Sequence, residues 1–258
     1  MKLLKNLYQY RELLKSNVKK EIRGKYKGSF LGVLWSFVNP LLQVLVYAIV
    51  FPYLLGANAV DNYLVFLIIG IIPWTFFTYV LNQGMITVRM NSGIIKKVYF
   101  PREILPISVA TSGLVNFSIS CIIILIFCIF GGVGVSWHLA FLPLIAFLQY
   151  MLQLGLTLGL CAINIYIKDT EYIVQFIINM LFYGTPILYK ATLFPEKYRW
   201  ILYINPMAQI INAYRDIFLY HQIPDLYGLL YLVGVSIIVF LIGLAIFRKL
   251  EKGFAEEV

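Results

Sequence analysis

Residues 104–167 contain no Asp, Glu, Lys or Arg, and this run of 64 residues limits the folds open to the chain. A single helix of that length would measure roughly 96 Å. The hydrocarbon core of a bilayer is only about 30 Å thick. The run must therefore cross a membrane more than once, and Gly131, Gly132 and Gly134 mark the expected turn. The sequence predicts an all-α, polytopic membrane protein.

The composition points to the same class. The chain is 61% hydrophobic and 13% charged, whereas about a quarter of the residues in soluble domains are charged. The net charge of +9 could suggest a nucleic-acid partner. The basic residues lie beside the apolar blocks, however, where orientation and contact with lipid headgroups explain them. We therefore expect contact with membrane lipids and no nucleic-acid partner.

Six apolar stretches are long enough to cross the membrane. Pro40 and Pro73 interrupt the first two, and membrane helices tolerate such kinks where neighbouring groups satisfy the freed carbonyl. The expected spans are residues 31–55, 63–81, 105–130, 139–167, 172–189 and 227–247.

An even number of spans places both termini on one side, and the basic residues identify that side. About 17 of the 21 Lys and Arg residues fall on the side of the termini. The others fall opposite: Lys190, Lys197, Arg199 and Arg215. Because basic loops stay inside, we expect both termini in the cytoplasm.

The N-terminal residues 1–28 contain nine Lys or Arg and two Glu. Their apolar residues recur at about helical spacing: Leu7, Leu14, Val18 and Ile22. This pattern predicts an amphipathic helix lying in the membrane interface, with a solvated basic tail as the alternative.

A charged island at residues 89–103 separates two apolar blocks. It combines basic and apolar residues: Arg89, Lys96, Lys97 and Arg102 with Ile94, Ile95, Val98, Tyr99 and Phe100. This mixture is typical of a short amphipathic helix that docks on another protein. Its apolar side chains would fill a cleft and its charges would fix the register. A positively charged loop with no partner is the alternative.

Residues 190–225 are too rich in large apolar side chains for a free loop between two spans. Two short helices that break at Asn205 and Pro206, and dip back into the membrane or close a pore, fit better. We therefore predict an outer gate formed by Tyr203, Asn205, Pro206, Tyr214 and Arg215. A cap that only packs on the membrane-spanning helices is the alternative.

Catalytic and nucleotide-binding motifs do not occur: the sequence has no GxxxxGK[ST], HExxH or CxxC. No carboxylate falls within an expected span, which removes the usual proton relays of secondary transporters. We expect a transport subunit that is not an enzyme, binds no cofactor or metal, and is driven by another subunit. A membrane enzyme and a passive channel are the competing classes.

Aromatic residues are concentrated in the first two spans. Their rings could line a transport path, and the candidates are Trp35, Phe37, Trp74, Phe77 and Tyr79. Interfacial or packing roles are the alternative for any single ring. Gly155 and Gly159 form a GxxxG motif that permits close helix packing but does not identify a dimer face.

Three segments resemble the matching parts of polysaccharide-exporting permeases of the type-2 ABC transporter family. They are KYKGSFLGVLWSFVNPLL at residues 25–42, IIKKVYFPREILP at 94–106 and NPMAQIINAYRDIFL at 205–219. The resemblance covers nearly the whole chain in motif order, spacing and predicted topology. It implies export of a lipid-linked O-antigen, capsule or teichoic-acid-like glycan across the inner membrane of a bacterium. A type-2 ABC permease for a drug or smaller lipid is the alternative.

The resemblance also implies an assembly. Two copies of this chain would join two copies of a separate ATPase subunit, which holds ATP and Mg²⁺. The coupling helix that docks into that subunit would be residues 94–101, beside an interface helix that includes Arg23, Tyr26 and Lys27. The family's re-entrant outer helices would fall at about residues 194–219.

Overall fold

The computed structural model describes residues 2–24, 30, 32–55 and 62–257, and the regular secondary structure in these ranges is entirely helical. The α-helices in chain order are α1 (Lys2–Gln9), α2 (Arg11–Gly24), α3 (Trp35–Leu55), α4 (Tyr63–Met90), α5 (Ser92–Ile95), α6 (Ile104–Phe130), α7 (Leu142–Tyr166), α8 (Thr170–Tyr183), α9 (Trp200–Ile204), α10 (Pro206–Arg215), α11 (Leu226–Leu250) and α12 (Phe254–Glu257). A π-helical turn, Asp216–Tyr220, follows α10.

Five helical stretches of the described chain are long and apolar enough to cross a membrane. They are Trp35–Pro52, Tyr63–Met90, Ile104–Phe130, Trp137–Tyr166 and Leu226–Gly253. The predicted fold class, an all-α polytopic membrane protein, is confirmed. The turn between the third and fourth stretches lies at the glycines noted above, where Gly132 and Gly134 have φ of 74° and 82°.

The predicted count of six spans also requires residues 172–189, and there the helix is short. Helix α8 has 14 residues, about 21 Å of helix. The chain continues beyond it without helical structure, and residues 185–188 are buried. The Tyr63 hydroxyl donates to the Leu188 carbonyl at 2.9 Å. Since non-helical backbone at membrane depth must be buried and hydrogen-bonded, this arrangement is compatible with a sixth crossing, which stays a prediction.

Helix α4 lies at the centre of the protein. In the apolar stretch of α4 that is long enough to cross a membrane, 78% of the residues are buried. The corresponding values are 11% for α3 and 17% for α11. Helices α6 and α7 pack along α4, α11 packs on α7, α2 packs on α6, and α10 contacts α4 and α7. Helices α3 and α11 therefore leave most of their surface for lipid or for another chain.

The GxxxG motif brings α7 and α11 of the same chain together. A Cβ atom built on Gly243 would lie 1.9 Å from the carbonyl oxygen of Gly155, and Gly159 also faces Gly243. The two backbones therefore touch, as small residues permit in membrane helix pairs. The GxxxG motif therefore packs two helices of the same chain against each other.

Candidate functional site

The coupling segment, defined here as residues 92–102, presents an apolar surface with no partner among the described residues. Ile94, Val98 and Tyr99 are 50%, 57% and 91% exposed. Both lysines between Ile94 and Val98 are exposed as well. A cavity of about 280 Å³ lies against this segment. Exposed apolar side chains beside charges, outside the membrane-length helices, are typical of a protein-docking surface.

Two predicted coupling residues have a different position. Ile95 and Phe100 are each 7% exposed and belong to the hydrophobic core. They cannot reach a partner protein without leaving that core. They hold the coupling segment against the helices, whereas Ile94, Val98 and Tyr99 carry its outward surface.

The coupling segment and its flanks are tied to helices α2 and α8. Lys20 of α2 donates from Nζ to the Asn91 side-chain oxygen at 3.3 Å. Arg89, at the end of α4, forms a salt bridge to Glu171 at 2.7 Å. These contacts join the region around α5 to α2 and to the start of α8.

The N-terminus and the C-terminal tail reach the same region. Asn6 of α1 donates to the Glu103 carboxylate at 3.1 Å. Arg102 donates to the Glu251 carbonyl, and its guanidinium lies 5.7 Å from the centre of the Phe254 ring. These contacts place both ends of the chain beside the coupling segment.

The predicted interface helix is observed as two helices, α1 and α2. Helix α2 packs on α6. Arg23 lies near the end of α2, while Tyr26 and Lys27 lie outside the described residues. A position in the membrane interface stays a prediction.

At the opposite end of the protein, Asn205 separates the two gate helices α9 and α10. Its Oδ1 accepts from the N–H groups of Met207 at 3.0 Å and Ala208 at 3.3 Å, and Pro206 occupies the first turn of α10. This is the usual way of starting a helix, with an Asn cap followed by proline. The Asn205 amide also donates to Thr185 Oγ1 at 2.9 Å, which joins the gate helices to the segment after α8.

Arg215, the last residue of α10, is a buried cation that is 3% exposed. Its guanidinium donates to the carbonyls of Pro186 at 2.5 Å and Ile187 at 2.8 Å. It also lies 3.5 Å from the centre of the Phe66 ring on α4, a cation–π contact. A Cβ atom on Gly70 would lie 3.1 Å from this guanidinium, so a glycine at this position leaves room for it. Arg215 thus fastens α10 to both α4 and the segment after α8.

Tyr214 is the second anchor of α10, whereas Tyr203 on α9 is 71% exposed. The fully buried Tyr214 hydroxyl donates to Gln149 Oε1 of α7 at 3.0 Å. The Gln149 amide in turn donates to the Pro73 carbonyl of α4 at 2.8 Å. The predicted gate segment is therefore hydrogen-bonded, through Gln149, to the proline in the middle of α4.

Gln149 belongs to a buried polar stripe on α7 that the sequence analysis missed. Its members are fully buried: Gln149, Gln153, Thr157 and Asn164. Thr157 and Asn164 donate weakly, at 3.4 Å each, to carbonyls of α4. The Gln153 amide has no hydrogen-bond partner among the described residues. Spacings of four, four and seven residues place the stripe on one helix face. The helical spacing of these uncharged polar residues is the sequence signal that could have identified the stripe.

The five predicted path aromatics differ in exposure. Trp74 and Phe77 are buried at 6% and 3%, and the Trp74 ring lies 5.7 Å from Phe182 of α8. Trp35, Phe37 and Tyr79 are partly buried and keep some surface. Trp74 and Phe77 pack in the core of this chain, so contact with a glycan there stays a prediction.

Exposed amides mark a second candidate surface, the amide face, on helices α3 and α8. Asn39 and Gln43 lie one turn apart on α3, Gln175 and Asn179 lie one turn apart on α8, and all four are exposed. The two helices approach each other where the Tyr47 and Phe182 rings lie 6.1 Å apart. Gln43 donates to the Tyr47 hydroxyl at 3.2 Å and Gln175 to the Asn179 side-chain oxygen at 3.4 Å, but these bonds leave other amide groups exposed. Amide groups without partners are costly in hydrocarbon. This face is therefore better suited to water or a second protein surface than to lipid.

Comparison with known proteins assigns the family. The sequence profile described as ABC-2 type transporter matches residues 12–219, most of the chain. The chain belongs to the ABC-2 type transporter family.

Several named proteins match along all or most of the chain. The O-antigen export system permease protein RfbA of Myxococcus xanthus is 35% identical over 260 residues, covering 100% of both chains. The protein of the same name from Klebsiella pneumoniae is 35% identical over 259 residues, 99% of this chain and 98% of its own. The polysialic acid transport protein KpsM of Escherichia coli is 23% identical over 237 residues, 90% of this chain and 91% of its own.

Proposed function

We propose that this chain is the permease subunit of an ATP-driven exporter that carries a lipid-linked polysaccharide across the cytoplasmic membrane of a bacterium. The observation that carries the proposal is the 35% identity to O-antigen export permeases with both chains covered almost end to end. The more distant relative named for polysialic acid transport supports a polysaccharide cargo rather than a drug or small lipid.

The proposed assembly is a homodimer joined to two copies of a separate ATPase subunit, which binds ATP and Mg²⁺. Membership of the ABC-2 family supports an ATPase partner. The exposed apolar side chains of the coupling segment support the docking site. The concentration of basic residues on the side of the termini supports a cytoplasmic coupling segment.

Helix α4 is the proposed transmission element. Its 28 residues extend about 42 Å. One end leads through Asn91 into α5, and the other end holds Phe66 against Arg215. Because a helix transmits displacement along its axis, a push on the coupling segment would reach the gate segment. Gln149 adds a second connection between α4 and α10.

The amide face is the proposed wall of the glycan path. Asn39, Gln43, Gln175 and Asn179 could hydrogen-bond sugar hydroxyls or the water around them. A second copy of the chain facing this surface would enclose a hydrated passage and would remove the amides from lipid. The partly exposed Trp35, Phe37 and Tyr79 would lie at its margins.

Deletion of the gene tests the cargo directly. We expect the polysaccharide to disappear from the cell surface and to accumulate inside the cell, still attached to its lipid carrier. Extraction of lipid-linked glycan from spheroplasts and surface labelling of intact cells measure both effects, and the intact gene supplied in trans should reverse them. Unchanged surface polysaccharide, with retention of a small amphiphile instead, would favour the drug or lipid exporter.

The variant Gln149→Leu tests the connection between gate and α4. Leucine keeps a similar volume but leaves the buried Tyr214 hydroxyl without its acceptor. The Pro73 carbonyl loses the bond from Gln149 but still accepts a main-chain bond within α4. Each buried group left unpaired costs about 1–3 kcal/mol. We expect lower thermal stability and at least a severalfold loss of export per ATP hydrolysed, measured on the purified complex in nanodiscs.

The matched control is Gln153→Leu, one turn further along α7. The Gln153 amide has no partner among the described residues, so its removal should leave stability unchanged or raised. Equal losses in the two variants would show that the Gln149 bonds have no special role.

A further inference from the structure

A cavity of about 450 Å³ opens beside the gate helices, and we call it the gate cavity. Four parts of the chain form its wall: the start of α4, the residues after α8, helices α9 and α10, and the segment from the π-helical turn to α11. Its volume lies within the range of small-molecule sites, about 300–1,000 Å³. Elements from four regions thus converge on a space large enough for a sugar or two.

The wall chemistry suits a neutral ligand with many hydroxyl groups. Two cations and two carboxylates line the cavity, Lys190 and Arg215 with Asp216 and Asp225, so their formal charges balance. The amides of the lining residues can donate and accept hydrogen bonds, as a sugar hydroxyl does. Neither a strong anion nor a metal ion is favoured by such a balanced set.

Two aromatic rings add flat surfaces to the wall. Tyr203 is 71% exposed and Tyr220 is 48% exposed, and both line the cavity. An exposed tyrosine offers an apolar face and a hydroxyl at its edge. The C–H face of a pyranose matches such a ring, while its hydroxyls match the amides and carboxylates.

The wall also contains polar groups with unused bonding capacity. Arg215 lines the cavity, and its Nε, buried from solvent, has no acceptor among the described residues. Burial raises the pKa of the Asp216 carboxyl above its usual value, and the hydrogen bond from Gln222 at 2.6 Å opposes this shift. A half-buried carboxylate and an unpaired N–H both gain from a ligand that can accept and donate.

The backbone at the cavity departs from regular α-helical geometry. Asp216–Tyr220 forms a π-helical turn, and His221 directly after it has a φ of 53°. Short π-helical segments and left-handed non-glycine residues are both concentrated at functional sites. Here they place Asp216 and Tyr220 on the wall of one cavity.

We propose that the gate cavity binds one or two neutral sugar units of the exported chain after they have passed the gate. This inference rests on the proposed function and adds a binding site outside the path. A sugar held there would keep the emerging polysaccharide from sliding back while the gate is closed. The residues that bind it are Tyr203, Tyr220, Asn212, Arg215, Asp216 and Asp225.

Site-specific photocrosslinking in cells that make the polysaccharide tests the site. Tyr203→p-benzoylphenylalanine places a reactive group at the cavity rim. Tyr227→p-benzoylphenylalanine is the matched control, because Tyr227 is 82% exposed on α11 and does not line the cavity. After irradiation the permease is purified under denaturing conditions, and attached sugar is detected by periodate oxidation of its diols and biotin hydrazide.

We expect sugar attached at position 203 and at least fivefold less at position 227. Adding Asp216→Asn should reduce attachment at position 203 severalfold. Equal attachment at 203 and 227 would overturn the proposal, because it would reflect proximity alone.

Crosslinking at a third position distinguishes a failure of the gate cavity from a failure of the proposed glycan path. Gln43→p-benzoylphenylalanine reports the path on the amide face. Attachment at 43 without attachment at 203 would refute the gate cavity and leave the export function standing. Absence of attachment at all positions would refute the gate cavity and the path on the amide face, while the deletion phenotype decides the export function separately.

Discussion

A chain carrying Lys96→Glu and Lys97→Glu is expected to enter the membrane normally and to lose its ATPase partner. Both lysines are exposed on the coupling segment, and no salt bridge to a described residue uses them. Their charges are therefore available to a partner protein. The new glutamates would face the acidic groups of the partner that the lysines are proposed to contact, and like charges brought together at an interface cost several kcal/mol. A loss of about 2.8 kcal/mol corresponds to a hundredfold loss of affinity.

The measurement is the amount of ATPase subunit that copurifies with the permease, together with surface polysaccharide. We expect both to fall at least tenfold while the permease remains in the membrane fraction in normal amount. The matched control is Arg248→Glu with Lys249→Glu, which makes the same change in net charge at exposed positions at the end of α11. Normal copurification and export by the Lys96 and Lys97 variant would remove the coupling role of this segment.

The charged residues made much of this architecture predictable. They are so sparse in the chain that each cluster must lie outside the hydrocarbon, which predicted a charged segment between two long apolar helices. The bounds were less predictable: the expected second span, residues 63–81, ends nine residues before α4 (Tyr63–Met90) does. The break at Asn205 was predictable for a local reason as well, because an Asn cap followed by Pro starts a helix whatever surrounds it. Features set by solvation or by adjacent residues could be deduced from the sequence alone.

Features set by distant contacts could not be deduced. Amides such as Gln149 and Gln175 look alike in the sequence, yet the first is buried against α4 and the second is exposed on α8. The partner of Gly155 is Gly243 on another helix, and nothing near either glycine identifies it. The same limit explains why Ile95 and Val98, both apolar and three residues apart, could not be assigned to core and surface.

The coupling segment is held by more parts of the chain than its sequence indicates. The sequence predicted a short segment that docks on one partner protein. The contacts of Asn6, Lys20, Glu171 and Glu251 show that the segment and its flanks are held by α1, α2, α8 and the C-terminal tail. If the segment docks on an ATPase subunit as proposed, a force applied to Ile94 or Val98 would be shared among several helices. We therefore expect α4 to move as a rigid body rather than α5 to bend locally.

Gly243→Leu is expected to disrupt the folded chain, because α7 and α11 are packed backbone against backbone at this residue. Even the first added carbon would lie 1.9 Å from the Gly155 carbonyl oxygen. The contact is backbone against backbone, so no side-chain rotation can relieve it. Overpacking of a tight site costs about 1–3 kcal/mol, and more where backbones must separate. Separation would also stretch the bonds from Ser236 to Leu148 at 3.1 Å and from Tyr166 to Leu250 at 2.9 Å.

Helix α11 supplies its own control for this change. A Cβ atom on Gly234 meets nothing within 4 Å, so Gly234→Leu adds the same side chain to the same helix without a clash. We expect Gly243→Leu to lower the unfolding temperature in nanodiscs by 10 °C or more, about 3 kcal/mol or more at several degrees per kcal/mol, and to reduce folded yield. Gly234→Leu should stay close to the parent chain. Similar unfolding temperatures for the two variants would mean that α7 and α11 are not in backbone contact.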